Sequence, residues 1–273
     1  METGVALQPQ RTLELPREQI RQYHEEGYTV VRGLIPQAPL AAVRRELVEL
    51  MNGNQDGWDL SHFQFVNPAK YRTPRGNMIP GGVQNPARHG EVFRAVADHP
   101  NLQAAMGQLL GGPVKRFTDQ CLLKTAWIKE AQGLQTYYHQ DSYYWLLKPQ
   151  FGCNVWIPCD PVGPGASALA VLPRTQEGWV LSAHEQYFDE PSMHSGKSLE
   201  PYKRHRIPLD RVDDSKEVLF TLEPGDGVFF TNFTWHRAEP NHSGEHKFAY
   251  AIAYQLAEGN AKYEVDPRTK HRS

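Results

Sequence analysis

The sequence predicts an all-β core with flanking helices, in which the core is an antiparallel sandwich or jelly roll. Two observations support this fold class. After Pro113 the chain holds short runs of β-branched and aromatic residues, separated by proline- and glycine-rich turns such as 161–165. Before Pro113 apolar residues recur at helical spacing. We expect one domain over residues 1–273, with a helical N-terminal part at about 15–112 and a jelly-roll core at about 113–257.

Three helices and one strand are expected in the N-terminal part. Pro16 occupies the favoured first turn of a helix that Gly27 ends, and residues 28–31 form a β-branched and aromatic strand. A second helix follows Pro36, and its apolar residues recur at core spacing: Leu40, Val43, Leu47 and Leu50. A third helix is expected over 92–109, ended by two glycines.

The predicted core consists of seven short strands, at 114–117, 121–127, 152–157, 168–172, 218–222, 228–233 and 248–254. Two long polar segments lie outside this pattern. Residues 52–90 are rich in glycine, asparagine and proline, and residues 173–216 interrupt the strands. Long segments of this kind in a compact domain are often functional. Each is a surface excursion or a cover over the active site.

The charge balance limits the kinds of partner. The chain has 29 Lys and Arg against 31 Asp and Glu, with no basic stripe, so neither nucleic acid nor an anionic membrane is an expected partner. A small-molecule substrate fits better, and the oligomeric state is left open. The first residues lack a basic and apolar leader, and the three cysteines form no C-x-x-C pair. We therefore expect a cytoplasmic protein with reduced thiols.

A candidate metal site begins at His139-Gln140-Asp141. Alternate residues of a strand project to the same side, so His139 and Asp141 would share a face. His236 follows 97 positions after His139, at the end of an expected strand. Two imidazoles and one carboxylate on one face of a cation are the ligand set typical of non-haem Fe(II). For any one histidine a local hydrogen bond is the more ordinary role, and a zinc hydrolase would accept the same ligands.

Two lysines could place a cation inside the barrel. Lys247 shares a strand face with a row of small residues, Ala249, Ala251 and Ala253. If this face points inward, Lys247 is aimed into a cavity, and a buried cation needs an anionic partner such as a dicarboxylate. Lys124 shares a face with Gln120 just before the metal motif. For both lysines the alternative is a side chain that bends out to solvent.

Taken together, these residues make the chain resemble the phytanoyl-CoA dioxygenase family of Fe(II)- and 2-oxoglutarate-dependent oxygenases. The resemblance covers most of the length and rests on segments in a fixed order: 26–36, 123–124, 139–141, 155–160, 168–173, 224–226, His236 and Asn241. It implies a double-stranded β-helix fold and an iron site at His139, Asp141 and His236. It also implies that 2-oxoglutarate and O2 are consumed to give succinate and CO2 while a substrate C–H bond is oxidised, by default hydroxylated. The intact Asp141 disfavours halogenation.

The resemblance implies cosubstrate contacts as well. The family usually has arginine eleven positions after the distal histidine, where this chain has Lys247 (236 plus 11). Lys247 is therefore the expected anchor of 2-oxoglutarate, and Lys124, Gln120 and Thr136 are further candidate contacts. Lysine binds a carboxylate as a point charge and lacks the planar fork of arginine.

Two other positions depart from the family pattern. The hydroxyl residue common two positions after the distal histidine is Ala238, and the family's Pro-Gly-Ser-His segment reads Pro173-Arg174-Thr175-Gln176. The lysine in place of the family's arginine lends weight to the alternative of a metal-binding or sensing protein without turnover. The candidate walls of an apolar pocket are aromatic residues, namely Tyr138, Tyr143, Trp145, Trp127, Trp156 and Phe233. A mid-sized, natural-product-like substrate fits this composition.

Overall fold

The structure is a computed structural model that describes residues 13–128, 135–188, 191–201 and 203–268. The N-terminal segment on which the targeting expectation rests lies outside these ranges. The helices and strands before the core are α1 (Arg17–Glu26), β1 (Tyr28–Val31), α2 (Gln37–Met51), β2 (Phe63–Val66), β3 (Pro80–Gln84), α3 (Glu91–Ala97) and α4 (Pro100–Leu110).

The core consists of β4 (Val114–Lys124), β5 (Thr136–His139), α5 (Asp141–Trp145), β6 (Gly152–Pro158), β7 (Leu169–Leu172), β8 (Glu185–Tyr187), β9 (Met193–Ser195), β10 (Arg204–Arg206), β11 (Val218–Leu219), β12 (Gly227–Thr231), β13 (Trp235–Ala238) and β14 (Lys247–Leu256). An eight-stranded sheet has the order β1-β12-β6-β14-β4-β3-β2-β9, and a four-stranded sheet has the order β11-β7-β13-β5. Every pairing between these strands is antiparallel. The predicted all-β jelly roll with flanking helices is confirmed.

The N-terminal helices form at the positions predicted from the sequence, except that the expected third helix is divided into two. Gly27 ends α1 in the left-handed conformation, at φ 84°, which glycine adopts without a steric penalty. The four apolar residues of the α2 stripe are all buried. The expected third helix is divided into α3 and α4, because His99 precedes Pro100 and takes an extended conformation that ends the first helix.

β14 separates two apolar layers. Its residues Phe248, Tyr250, Ile252 and Tyr254 are buried in the cluster that contains the helices. Ala249 lies on the opposite face, in the cluster that also contains Trp156 and residues of β7 and β12. The predicted alternation along this strand is therefore confirmed, and the alanine face points into the barrel. Small side chains on this face leave interior volume free.

The prediction of a loop over 52–90 was wrong at two places. β2 and β3 pair with each other inside this segment, and β3 also pairs with β4 of the large sheet. The sequence pattern missed both strands because they are short and β3 contains two glycines, which are rare in strands. The N-terminal part thus contributes β1, β2 and β3 to the large sheet and is not purely helical.

The local conformation of the metal motif also differs from the expectation. His139 is the last residue of β5, and Asp141 is the first residue of the short helix α5. The strand expected to reach His236 ends at Thr231, and His236 lies in β13 of the other sheet. Strand alternation therefore does not explain why His139 and Asp141 converge. A strand-to-helix turn brings them together instead.

The segment 173–216 contains three short strands. β8 and β10 form a separate two-stranded sheet, and β9 pairs with β2 at the edge of the large sheet. This arrangement places β10 beside β5, near the metal motif. No helix in the described part of the chain combines the length and the apolar composition of a membrane span.

Candidate metal centre

Three predicted ligands converge at one end of the four-stranded sheet. The Oδ1 atom of Asp141 lies 3.7 Å from Nε2 of His139 and 3.6 Å from Nε2 of His236. The three ligand atoms lie within 4.8 Å of one another, and within the described ranges no other group of this kind is found. His139 and His236 are direct cross-strand partners of β5 and β13. The long-range pairing of two strands thus sets the spacing of the two imidazoles.

Hydrogen bonds fix the orientation of each ligand. Nδ1 of His139 lies 2.9 Å from the carbonyl oxygen of Tyr137, and Nδ1 of His236 lies 3.0 Å from that of Thr234. A carbonyl can only accept, so each Nδ1 donates its proton and leaves the Nε2 lone pair directed at the centre. The amide of Asn154 donates to Oδ2 of Asp141 at 2.9 Å, which leaves Oδ1 for a ligand. Hydrogen bonds that orient the metal-binding side chains in this way are typical of metal sites.

Burial sets the charge state of the ligands. It lowers the pKa of His139 to about 3, with a further contribution from His236, and it lowers the pKa of His236 to about 4. Both imidazoles are therefore neutral near pH 7, as metal ligation requires. Burial also raises the pKa of Asp141, because a carboxylate removed from water is disfavoured until a cation neutralises it. The donor set of two neutral nitrogens and one carboxylate oxygen fits a non-haem Fe(II) ion.

A cavity of about 440 Å³ opens beside His139. It lies between the large sheet, β5 and β10. The described residues that line it are Gln64, Gly81, Gln120, Leu122, Leu123, Lys124, Thr136, His139, Tyr144, Met193, Lys203, Arg204, His205 and Ala238. A volume of this size is typical of sites for small organic molecules.

Of the predicted cosubstrate residues, Lys124, Gln120 and Thr136 line this cavity. Lys124 is buried, its ammonium donates to the carbonyl oxygen of Glu239, and burial together with Arg204 lowers its pKa to about 7. The Thr136 hydroxyl accepts a hydrogen bond from the backbone N–H of Ala238 at 2.7 Å. A hydroxyl that accepts one bond still has its own proton to donate.

Lys247 is also buried but is not among the cavity-lining residues of the described chain. It lies directly opposite Lys124 in the β14–β4 ladder. Its Nζ atom is 3.3 Å from Oε2 of Glu245, whose side chain is mostly exposed. The position expected to anchor the cosubstrate thus lies next to the lysine that faces the cavity.

None of the six predicted wall aromatics lines this cavity. Tyr138 donates to Glu217, Tyr143 stacks on His184, and Trp156 is buried in the barrel interior. The other three contact rings elsewhere, in the pairs Trp145 with Phe117, Trp127 with His246, and Phe233 with Trp179. The aromatic side chain that lines the cavity is Tyr144, whose ring centroid is 5.8 Å from that of His139.

Sequence reasoning did not single out Asn154, Tyr144, Lys203 or Arg204 as residues of this site. Asn154 could have been found, because it lies two positions before Trp156 on the same strand face. Tyr144 could not have been found in this way, because it belongs to the helical turn α5, although the aromatic residues around it resemble a strand. Lys203 and Arg204 lie in the segment singled out as a possible cover, but no local pattern distinguishes them from other charged residues there.

An antiparallel jelly roll in which two imidazoles and one carboxylate converge beside a cavity is the arrangement typical of a non-haem iron oxygenase. A match to a known family model identifies the family. A family model described as phytanoyl-CoA dioxygenase (PhyH) matches residues 23–249. The chain therefore belongs to the phytanoyl-CoA dioxygenase family, and it is an Fe(II)- and 2-oxoglutarate-dependent enzyme.

Individual relatives are distant. A probable phytanoyl-CoA dioxygenase of Caenorhabditis elegans is 22% identical over 244 residues, which cover 88% of this chain and 75% of the relative. The 1-deoxypentalenic acid 11-beta-hydroxylase of Streptomyces exfoliatus is 25% identical over 226 residues, which cover 81% and 73%. The epimerase SnoN, solved with Fe3+, alpha ketoglutarate and nogalamycin RO, superimposes with a TM-score of 0.63 at 19% identity, over 90% of this chain and 85% of SnoN.

Proposed function

We propose that this enzyme binds Fe(II) through His139, Asp141 and His236 and oxidises a C–H bond of a small organic acceptor. The observation that carries this proposal is the orientation of the three ligands. Two neutral Nε2 atoms and one carboxylate oxygen face a common point, beside a cavity that also contains a buried ammonium group. Bound Fe(II) with 2-oxoglutarate and O2 supplies the oxidising chemistry, with succinate and CO2 as coproducts and hydroxylation as the default outcome.

In this reaction the protein holds the ligands in place. The carbonyl groups of Tyr137 and Thr234 keep the imidazoles directed inward, burial keeps both imidazoles neutral, and Asn154 holds Asp141. The occupied Oδ2 atom leaves one carboxylate oxygen for iron, so open positions remain for the cosubstrate and O2.

We propose Lys124 as the principal anchor of the far carboxylate of 2-oxoglutarate, with Lys247 as a neighbouring charge. Lys124 lines the cavity, whereas Lys247 faces Glu245 from the adjacent strand position. Gln120 and Thr136 line the same cavity and offer an amide and a hydroxyl.

Thr136 compensates for the hydroxyl that the family has at the position of Ala238. The two residues are cross-strand partners in β5 and β13, and the backbone of Ala238 already donates to the Thr136 oxygen. The free proton of this hydroxyl can therefore reach a carboxylate bound next to Ala238. The hydroxyl group therefore comes from β5 and not from β13, the strand that carries His236.

The substrate and compartment belong to the same proposal. The cavity volume suits a small molecule, and Tyr144 forms an aromatic wall beside the iron ligand His139. A cytoplasmic location is supported by three cysteines that are buried and free, because secreted proteins of this size commonly form disulfides. Cell fractionation with an antibody to the native chain tests that location.

Anaerobic addition of Fe(II) and 2-oxoglutarate to the purified protein tests the central proposal. We expect a weak visible metal-to-ligand charge-transfer band, and succinate formation when O2 is admitted. His139→Ala should abolish both, whereas His242→Ala, an exposed loop histidine, should change neither. Absence of both the charge-transfer band and succinate would exclude the oxygenase. A band without succinate formation would favour a sensing protein without turnover. Zinc-dependent hydrolysis of a substrate would favour a hydrolase.

A further inference from the structure

A second pocket adjoins the cavity beside His139. Its volume is about 450 Å³, and the neutral polar residues that line it in the described part of the chain are Ser61, Gln64, Gln84, Asn85 and Ser195. Gln64 lines both the cavity and this second pocket. The two spaces are therefore neighbours that share Gln64 as a wall, and we call the second one the outer pocket.

Strand pairing places polar side chains of both spaces on one face of the large sheet. Gln64 of β2 lies opposite Gly82 of β3 and Ser195 of β9. Gln84 of β3 lies opposite Gln120 of β4. Cross-strand partners share a face, as do residues two apart on one strand, such as Gly82 and Gln84. The three glutamines and Ser195 therefore form one polar group, which extends from the cavity into the outer pocket.

Gly82 allows two of these glutamines to approach each other. A Cβ atom at this position would lie 2.9 Å from Oε1 of Gln64 and 3.3 Å from Nε2 of Gln120. Because glycine lacks this atom, Nε2 of Gln120 reaches to 3.5 Å from Oε1 of Gln64, which is the outer limit of a hydrogen bond. The two amides thus lie side by side, and this long contact satisfies neither of them fully.

Most of the hydrogen-bonding capacity of this polar group is unused. Within the described part of the chain, the Gln84 amide, the Gln64 amide N–H groups and the side-chain oxygen of Gln120 have no hydrogen-bond partner. The Ser195 hydroxyl accepts from the backbone N–H of Lys197 at 3.1 Å and still has its own proton to donate. All four side chains are partly buried. Buried donors and acceptors are normally paired, so a ligand in these two spaces can supply the missing partners.

The groups that face such a ligand are mainly uncharged. No aspartate or glutamate is among the described residues that line the outer pocket. Nδ1 of His62 lies 2.7 Å from Nε2 of His89 and is already hydrogen-bonded, and Lys197 is exposed to water. Amides and hydroxyls offer both donors and acceptors, and the hydroxyl groups of a sugar or polyol do the same. The pattern therefore matches a neutral, hydroxyl-rich group better than an ion.

We propose that the outer pocket binds a neutral, hydroxyl-rich part of the substrate, such as a sugar ring. The adjoining cavity also presents Leu122 and Met193, so the part of the substrate that lies in the cavity is less polar. The substrate class is therefore a glycoside-like molecule, with its hydroxylated ring at Gln64 and Gln84 and its oxidisable C–H bond in the cavity. This inference rests on the proposed function only where it makes the bound molecule a substrate.

Three probes with one alkyl chain test the head-group assignment: hexyl β-D-glucoside, 1-hexanol and hexyl phosphate. Each is titrated by calorimetry into the anaerobic enzyme with Fe(II) and 2-oxoglutarate bound. We expect the glucoside to bind about ten- to a hundredfold more tightly than hexanol, because several neutral hydrogen bonds are gained. Glucoside binding that is absent, or no tighter than that of hexanol, would overturn the site. Tighter binding of hexyl phosphate would overturn its assignment to a neutral group.

Glutamine substitutions locate the effect. Gln84→Leu and Gln64→Leu remove an amide at similar side-chain size, and each should reduce the preference for the glucoside over hexanol about three- to tenfold. Gln84 is the more direct position, because it lines the outer pocket and is not among the described residues that line the cavity. Gln103→Leu makes the same change at an exposed position of α4 and should leave the preference intact. A preference that survives in both Gln84→Leu and Gln64→Leu would contradict the proposal.

The charge-transfer band and the head-group preference can fail independently. A band without the preference refutes the outer-pocket site alone, because the iron and cosubstrate sites are then intact. A retained preference without the band refutes the oxygenase and leaves the binding site, because Gln64 and Gln84 are not among the candidate metal ligands. His139→Ala makes the same separation within one experiment, since it should lose the band and keep the preference for the glucoside.

Discussion

His139 and His236 lie directly opposite each other in the β5–β13 ladder, and their ring centroids are 4.2 Å apart. This pairing joins two residues that are 97 positions apart in sequence (236 minus 139). Each imidazole also donates from Nδ1 to the carbonyl two residues before it, which leaves Nε2 of both rings directed at the same centre. The two candidate nitrogen ligands are therefore positioned as one cross-strand pair, and Asp141 completes the candidate set from the first turn of α5.

Asn154 should affect iron binding without touching iron. Its amide holds Oδ2 of Asp141, and its side chain is buried in β6. Asn154→Leu, similar in size but without the donor, should weaken Fe(II) binding about ten- to a hundredfold, the usual effect of losing an outer contact. Anaerobic titration measures this, with Asn54→Ala at an exposed position as the control. Unchanged iron affinity would show that Asp141 keeps its orientation unaided.

The two paired lysines should contribute unequally to 2-oxoglutarate binding. Lys124→Met should raise the KM for 2-oxoglutarate about ten- to a hundredfold, because a charge-assisted contact in the cavity is lost. Lys247→Met should have a smaller effect, and Lys247→Arg should be close to the unmodified enzyme. Succinate formation at varied 2-oxoglutarate concentration gives these values. A larger effect at Lys247 would make it the main anchor, as the sequence alone predicts.

The affinity for 2-oxoglutarate should fall as the pH rises through about 7. Burial lowers the pKa of Lys124 to about 7, so this amine is charged below that pH and increasingly neutral above it. A dianion binds the charged form, so its Kd should rise by up to about tenfold per pH unit above pH 7. The charge-transfer band, titrated anaerobically between about pH 6.5 and pH 8.5, measures this slope.

Lys124→Arg is the matched control for the pH dependence. Arginine keeps its proton over this range, so the slope should disappear even if the affinity itself changes. If the slope persists in Lys124→Arg, another group must be responsible for it.

Glu217 should stabilise the two strands that carry the histidine ligands. It accepts from Tyr138 of β5 and forms a two-point ion pair with Arg237 of β13, with distances of 2.5 and 2.6 Å. Glu217→Ala leaves a partly buried guanidinium without this partner and should lower the free energy of unfolding by about 1–3 kcal/mol. Urea unfolding measures it, with exposed Glu223→Ala as the control. Equal stability of the two variants would contradict the prediction.

Much of the fold and the metal site could be predicted from the sequence, because local patterns determine them. The helix at Gln37–Met51 and the alternation along β14 are encoded by residues that lie close together in the chain. The ligand types at His139, Asp141 and His236 were recognisable because metal chemistry restricts which side chains can serve. The strand argument for the first pair was nevertheless wrong, since Asp141 begins a helix.

The rest of the site depends on which strands pair and which faces meet. Lys124 and Lys247 have the same chemistry and lie side by side, yet of the two only Lys124 lines the cavity. Arg204 lines the same cavity from β10, a strand within segment 173–216 whose position no local pattern encodes. The sequence by itself thus determined the metal chemistry and the strand pattern. The tertiary structure decided which charges face the substrate, because long-range strand pairing sets those directions.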